Sequence, residues 1–496
     1  MSVLVSTPAV SGSVDQLKKL PIENRLFING EFVPSKSGRT FEVVNPATEK
    51  VAASVFEADT ADVDDAVAAA KAAFPAWSEL PASERGAYLF KLADALEKRL
   101  PELAYLDAIS MGKPVDNDIV NSMVSTQLRY FAGRAYEAQG DTSLHTPGFV
   151  NLTFRQPYGV CGAITPWNAP VVMVTQKVGP ALITGNTLVV KVSEKAPLSP
   201  LILAKCCQEI GLPKGVLNIL IGFGRPCGEA IARHMDIRKL SFTGSTATGR
   251  AIKKAAAETN LKNVTLELGG KSPLIVFDDA DLEKAAGASA FSILANSGQA
   301  CVASSRVFVQ STVADRFVEA LKTSMARIGS SGDPLAVGTL RGPQADRLQF
   351  SRVMGFLDEA KQLGFEIVTG GDRVGETGYF VQPTVIKGVP EDARVFKEEV
   401  FGPVLCLNTF DDEEVVLKSA NDTEFGLYAS VFTKDITRAL RIAKRFEAGN
   451  VGVNCASPML SLDMPFGGWK QSGEGKENSK YVLDHWTELK TVYVAV

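Results

Sequence analysis

Histidine is almost missing from this chain of 496 residues: there are three, His145, His234 and His485. They lie far apart and fit no metal-ligand spacing, which excludes an HExxH helix or a histidine-rich zinc site. Acid–base chemistry therefore falls to another residue type, and no metal is expected. Cysteine is sparse and odd in number, seven residues at 161, 206, 207, 227, 301, 406 and 455 with no CxxC pair. That argues against a disulfide framework and suits a reducing compartment. Excess positive charge is lacking too: 52 Lys and Arg stand against 56 Asp and Glu, with both signs interspersed. No basic face for nucleic acid follows from such a balance. The N-terminus has neither the basic start and apolar run of a signal peptide nor the arginines of a transit peptide, so a cytoplasmic chain is expected. No membrane span is expected either. The longest uncharged stretch, residues 156–176, is interrupted by Pro157, Pro166, Asn168, Pro170 and two glutamines, and it reads as buried core.

What is present is the composition of a folded protein, 45% hydrophobic and 22% charged. At roughly 150 residues per domain the length predicts two to four structural units. The first twenty residues read as an irregular lead-in. LFINGEFV then sets an Asn-Gly pair between two apolar runs, a hairpin signal. Residues 62–73 predict a helix. A second begins near Ser83, with Leu89, Leu92, Leu96, Leu100 and Leu103 forming one stripe. From residue 158 short Val- and Ile-rich runs alternate with turns and helical segments: GVCGAI, TLVVKV, VLNILIG, KLSFTG, NVTLEL and PLIVF. Runs apolar throughout suit parallel strands covered on both faces, so a doubly wound α/β sheet is expected, with its ligand crevice at the C-terminal strand ends. A second α/β unit follows after about residue 270, with a helix over 281–296 and the strands VLCLNTF, ASVFT and NVGVNC. The tail TELKTVYVAV reads as an edge strand that pairs either with another subunit or within its own chain.

Several motifs nearly match and fail. GSTATGRA, residues 244–251, has P-loop glycines, but Arg250 and Ala251 replace the Lys and Ser/Thr that hold phosphate and Mg²⁺. GFGRPCG, residues 222–228, misses the dinucleotide fingerprint by one residue. A helix starting near Ser245 directly after KLSFTG survives; its N-terminal amides could receive a pyrophosphate, or the glycine turn could simply cap the helix. Four segments combine reactive or polar residues with glycine, proline or aromatics: ITPWN (164–168), ELGGK (267–271), SGQAC (297–301) and EEVFGP (398–403). A lone cysteine in a reducing setting is more often a small buried apolar residue than a nucleophile. Cys301 departs from that expectation, with Ser-Gly-Gln before it and a polar Ala-Ser-Ser-Arg run close behind. The other six sit in apolar or helical settings. Glu267 ends an apolar strand before two glycines, which predicts a carboxylate at the crevice edge; the plainer alternative is a solvent carboxylate at a strand end.

Taken together these segments resemble the NAD(P)-dependent aldehyde dehydrogenases, over nearly the whole chain from FINGEFV and NPAT (45–48) through PWN, KVSE, FTGS, ELGGKSP, GQACVASSR, EEVFGPV and PFGGWKQSG. The resemblance implies Cys301 as nucleophile, Glu267 as general base, and the Asn168 amide with the Cys301 backbone N–H as oxyanion hole. It places Lys191, Ser193 and Glu194 on the adenosine ribose, and Glu399 and Phe401 on the nicotinamide ribose and ring. Ile164, Thr165, Pro166, Trp167, Gly224, Gly228, Phe242, Gly244, Ser245, Gly249 and Leu268 would line the rest of an NAD cleft. A carboxylate at 194 can accept from both ribose hydroxyls and repels a 2′-phosphate, which favours NAD over NADP. Glu267 favours hydrolysis over acyl transfer; the rivals are a coenzyme A-acylating enzyme and a non-catalytic binding protein that kept the fold. The chain departs from the family pattern at Val192, where proline is frequent. Matching substrate-tunnel positions hold Ala169, Met173, Gln176, Ala300, Val302, Met459 and Leu460, with no arginine for a second carboxylate and no aromatic cage. That predicts apolar medium-chain or aromatic aldehydes. The implied fold has a cofactor domain over 1–132 and 155–266, a catalytic domain over 267–470, and a β-extension from 133–154 and 480–496 that makes a homodimer or homotetramer.

Overall fold

The computed structural model describes residues 14–117, 123–457 and 461–496. Residues 1–13 of the expected lead-in and the tunnel positions Met459 and Leu460 lie outside the described residues. The rest of the lead-in is packed: a short helix, Val14–Leu17, buries both of its apolar ends. The hairpin forms as expected between Leu26–Ile28 and Glu31–Val33. Asn29 and Gly30 at its turn have φ of 52° and 78°, the left-handed pair that a type I′ turn requires.

The first expected helix runs Thr60–Glu79, started by a capping box in which Asp59 and Asp62 exchange side-chain and backbone bonds. The leucine stripe belongs to two helices rather than one. Leu89, Leu92 and Leu96 are buried on Ala82–Glu97, and Leu103 is buried on Leu100–Met111. The break falls at residues 98 and 99 because Pro101 has no N–H to donate and is tolerated only in a helix's first turn.

An eight-stranded sheet has the order Glu31–Val33, Leu26–Ile28, Leu217–Ile221, Thr187–Val192, Val160–Ile164, Lys239–Thr243, Asn263–Glu267, Gly473–Glu474. The five strands from Leu217–Ile221 to Asn263–Glu267 are parallel. The chain enters this group at Val160–Ile164, moves outward to Leu217–Ile221, then returns to build the other side from Lys239–Thr243. Strand order therefore reverses between Val160–Ile164 and Lys239–Thr243, the point where open α/β sheets hold ligands. Those two strands are buried along their whole length, as double coverage demands.

A seven-stranded sheet follows: Glu366–Thr369, Thr384–Lys387, Val404–Phe410, Ser304–Gln310, Ser272–Val276, Tyr428–Phe432, Asn450–Val453, with all but the first parallel to their neighbours. Ser304–Gln310 is the polar run expected after Cys301. It is a central buried strand because the Arg306 guanidinium donates to the backbone carbonyls of Lys271, Ser419 and Ala420. A buried charge is tolerated when its donors are met. The predicted helix over 281–296 forms as Leu282–Leu294, capped by Asp281. The fold class is thus the expected one, a doubly wound α/β sheet with a second α/β unit.

The tail strand Thr487–Ala495 pairs within its own chain, antiparallel to Phe149–Pro157 from Thr487↔Pro157 to Ala495↔Phe149. With Thr142–Ser143 it makes a three-stranded sheet, whose order leaves one side of the tail strand unpaired among the described residues. Among the described residues no helix is long and apolar enough to cross a membrane.

Candidate active site

Each of the four motif segments leaves a strand or helix at the same place. Strand Val160–Ile164 runs out into Thr165, Pro166, Trp167 and Asn168 before the helix Pro170–Ile183. The Asn168 side-chain amide donates to the Gln299 backbone carbonyl at 2.9 Å, and the Asn168 backbone carbonyl accepts from Asn296 Nδ2 at 3.0 Å. The strand end is thereby tied to the loop that carries Cys301. An amide nitrogen has two hydrogens, so Asn168 keeps one donor for a ligand.

Glu267 closes its strand but does not face solvent; its residue is 5% exposed. One carboxylate oxygen, Oε1, is buried without a partner, and the side chain is near enough to Cys301 for each group to shift the other's proton affinity. Burial pushes this carboxyl up to about 8, opposed by the Lys177 ammonium and the neighbouring Cys301 thiol. The Cys301 thiol is pushed up by burial and then by the Glu267 and Glu399 carboxylates. Cys301 and Glu267 are thus electrostatically coupled, with a carboxyl that exchanges its proton near neutral pH.

The glycines of the motifs are there because the segments touch. A β-carbon on Gly269 would lie 2.3 Å from Glu399 Oε2, and one on Gly270 would lie 2.4 Å from the Cys301 carbonyl. At Gly298, where φ is +75°, a β-carbon would meet the Gly402 carbonyl at 2.1 Å. Backbone lies directly against backbone around the thiol.

The expected cofactor residues fall in three groups along the sheet's C-terminal edge. Ile164 pairs with Lys191 on one side and Phe242 on the other, and the Thr165 N–H donates to the Lys191 carbonyl at 3.0 Å. Lys191 is buried; its Nζ donates to the Val192 carbonyl and lies 3.6 Å from Glu194, with Ser193 Oγ 3.4 Å from the same carboxylate. Val192 pairs with Ile221 as an ordinary strand residue, so the absent proline leaves the strand whole. Gly228 packs on the Lys191 stem, where a β-carbon would lie at 3.5 Å, and Gly224 faces open space. In the second group Gly244 donates to the Glu267 carbonyl at 3.0 Å and stacks on the Phe242 ring. Ser245 caps the helix Thr246–Ala257, and Gly249 sits on Leu268. In the third, Glu399 Oε1 accepts from the Gly270 N–H at 2.9 Å, and burial raises its carboxyl to about 7. Phe401 has φ 58° and is held by Gln349 Nε2, which donates to its carbonyl at 2.8 Å. Its ring meets Trp167 edge-on at 5.4 Å.

This edge fits an adenine dinucleotide on the chain's own features. A twelve-residue helix begins at the switch point, two hydroxyls there, Thr165 Oγ1 and Thr243 Oγ1, are buried without a partner, and glycine backbone lines the floor. Among the described residues no cluster of three or more His, Cys, Asp or Glu side chains could hold a metal.

Sequence reading missed the supports. Lys177, fully buried, pairs with buried Glu477. Gln299 accepts from the Ala345 N–H and donates to the Asn296 carbonyl, locking the loop before Cys301. Glutamine in SGQAC was the one available signal. Of the cysteines expected to be buried, Cys455 is partly exposed and the other five are buried.

The model of the aldehyde dehydrogenase family matches residues 32–492. An aldehyde dehydrogenase of Emericella nidulans is 47% identical over 472 residues, covering 94% of each chain. The NAD⁺ complex of an aldehyde dehydrogenase from Bacillus cereus superposes with a TM-score of 0.94 at 43% identity over 98% of both chains. An indole-3-acetaldehyde dehydrogenase of P. syringae, in complex with NAD⁺ and IAA, gives 0.96 at 37% identity over 99% of this chain and 100% of that one. With the family model matched across the chain and relatives of this identity and coverage, this chain belongs to the aldehyde dehydrogenase family and is an NAD-dependent aldehyde dehydrogenase.

Proposed function

We propose that the chain oxidises apolar medium-chain or aromatic aldehydes to carboxylic acids with NAD⁺ and water, through covalent intermediates on Cys301. The observation that carries this reading is the buried Glu267 carboxyl, one oxygen without a partner, whose proton affinity and that of Cys301 shift each other. Glu267 draws the thiol proton, and the thiolate adds to the aldehyde carbon to give a thiohemiacetal. The oxygen that gains charge is held by the remaining Asn168 N–H and the Cys301 backbone N–H, donors in place before the reaction starts. Bound NAD⁺ supplies the acceptor for the hydride that leaves this carbon. The carbonyl re-forms as a thioester on Cys301. Glu267 passes the thiol proton to solvent, then takes a proton from water; hydroxide adds to the thioester, the thiolate leaves as the acid forms, and Glu267 returns its proton to that thiolate. The Lys177 charge, in contact with Glu477, steadies Glu267 when it is ionised.

Lys191, Ser193 and Glu194 are assigned to the adenosine ribose, the turn from Phe242 through Gly244 and Ser245 to Gly249 to the pyrophosphate side, and Glu399 and Phe401 to the nicotinamide end. Ala169, Met173, Ala300 and Val302 give the substrate route small or flexible apolar walls, with Gln176 as the polar exception. Residues 1–132 with 155–266 form the cofactor domain, 267–470 the catalytic domain, and 133–154 with 480–496 the arm through which homodimers or homotetramers assemble. All seven cysteines are free, which suits a cytoplasmic enzyme.

The test is kcat/KM across a panel of aldehydes followed by NADH absorbance. Aryl and medium-chain aldehydes should exceed succinic semialdehyde and betaine aldehyde by tenfold or more, on the order of one lost hydrogen bond or desolvated charge. Equal values across the panel would defeat the substrate assignment, and unchanged turnover in Cys301→Ala would defeat the mechanism.

A further inference from the structure

We infer, on the assignment of Phe401 to the nicotinamide end of the coenzyme, that Lys195 and Asp346 are positioning residues for that end: their ion pair ties the two α/β units together and sets Phe401. Lys195 follows strand Thr187–Val192 of the eight-stranded sheet. Asp346 opens the helix Arg347–Gln362, which packs through Val353, Phe356 and Leu357 on the seven-stranded one. Lys195 Nζ meets Asp346 Oδ2 at 2.7 Å. It also lies over the Trp167 ring, 5.3 Å from its centre, and this cation–π contact holds the ammonium from a second side. The two side chains are 21% and 28% exposed. Ala196 and Ala345, their neighbours in sequence, are buried with Met111 in one small apolar cluster against Trp167. An ion pair with apolar cover on one side is screened less than one standing in water.

The Asp346 carboxylate uses both of its oxygens. While Oδ2 takes Lys195, Oδ1 accepts from the Gln349 N–H at 2.8 Å and caps the helix. Gln349 in turn donates through Nε2 to the carbonyls of Val400 at 3.1 Å and Phe401 at 2.8 Å. Phe401 needs that support, because its φ of 58° is left-handed and costly for a bulky residue. The chain entering the helix is fixed separately, by the Ala345 N–H on Gln299 Oε1, so the ion pair decides the aim of the cap itself. Contacts therefore run from Trp167 through Lys195, Asp346 and Gln349 to Phe401, and the circuit closes where the Phe401 ring meets Trp167 edge-on. Loss of the Lys195 charge opens that circuit at its one link between the two sheets' loops that carries charge. The adenosine end has its own support: Lys191 Nζ lies 3.6 Å from Glu194, and the Lys195 N–H donates to Ser193 Oγ at 3.3 Å, a backbone bond that no side-chain change removes.

The experiment is titration of the full-length protein with NADH, followed by its fluorescence, and with ADP-ribose, followed by calorimetry; ADP-ribose lacks the nicotinamide, and neither probe involves turnover. Asp346→Asn keeps the capping oxygen but turns an amide N–H toward Lys195, and Lys195→Met removes the charge while keeping the length. Each should raise the ratio of the NADH to the ADP-ribose dissociation constant by about threefold or more, the size of coupling carried through packed side chains. The double variant should be no worse than either single one, because the same contact is lost, and Lys195→Arg should keep the ratio of the unaltered protein. A purely structural role would weaken both ligands alike. A ratio that stays short of the expected rise in Asp346→Asn and Lys195→Met overturns the inference, and so does an equal weakening of both ligands. Phe401→Leu separates this outcome from a failure of the placement beneath it: a ratio that Phe401→Leu also leaves unmoved removes Phe401 from the nicotinamide end, whereas a ratio that moves in Phe401→Leu alone removes only the ion pair from its role.

Discussion

A carboxyl that ionises near 8 is half charged just above neutral pH, and this sets what Glu267 does and when. The base must be deprotonated to accept a proton, so kcat/KM should climb as pH rises through about 8 and then flatten; the free-enzyme profile reports this group. In Glu267→Gln the climb should disappear. That variant should also stall after hydride departure with its steady-state rate down by about 10²–10⁴-fold, leaving an acyl adduct visible as a mass increase on the Cys301 peptide. A variant that turned over normally, or lost activity without accumulating an adduct, would remove Glu267 from the role. Asn168→Ala should lower kcat by about 10²–10³-fold, the worth of one oxyanion donor, with little change in NAD⁺ affinity by titration. Cys301 and Glu267 were legible from sequence as residue types among glycines. The electrostatic setting of Glu267 was not, since the Lys177 and Glu477 charges that act on it stand 300 positions apart.

At the scale of elements, the site is a place where loops meet without side chains between them. Gly270→Ala would set a methyl 2.4 Å from the Cys301 carbonyl. It should cost activity by moving Cys301 while far-UV circular dichroism stays the same; full activity would show that the loop has room to yield. Lys177 joins the helix Pro170–Ile183 to the C-terminal segment through Glu477. Removing one member of a buried pair costs about 3–5 kcal/mol, so Lys177→Met should lower Tm by several degrees, and adding Glu477→Gln should restore part of the loss. The strands around the switch point could be read because they are apolar from end to end. Ser304–Gln310 could not, because its serines and arginine look like a loop until the carbonyls of Lys271, Ser419 and Ala420 are seen to meet the guanidinium. The division of the leucine stripe at Pro101 shows the converse: periodicity named the buried face correctly and the helix ends wrongly.

For the molecule as a whole, the proposed assembly turns on the tail strand. Its pairing with Phe149–Pro157 uses one side of Thr487–Ala495, and an open strand edge is a template for another chain. Light scattering should find a dimer or tetramer for the intact chain and a smaller species once residues 487–496 are deleted. A monomeric intact chain would end the assembly proposal.

The C-terminal segment also sets an order in time. Chains emerge N-terminus first at about 5–20 residues per second, and Gly473–Glu474 is the last strand added to the edge of the sheet that ends in Glu267. Until residue 477 has been made, Lys177 lacks its ion-pair partner and the sheet beside Glu267 lacks its outer strand. A ribosome-bound chain can thus make its strands from 160 to 267 long before the surroundings of Glu267, the proposed base, are complete, and the setting proposed to activate Cys301 is finished only once synthesis is nearly over.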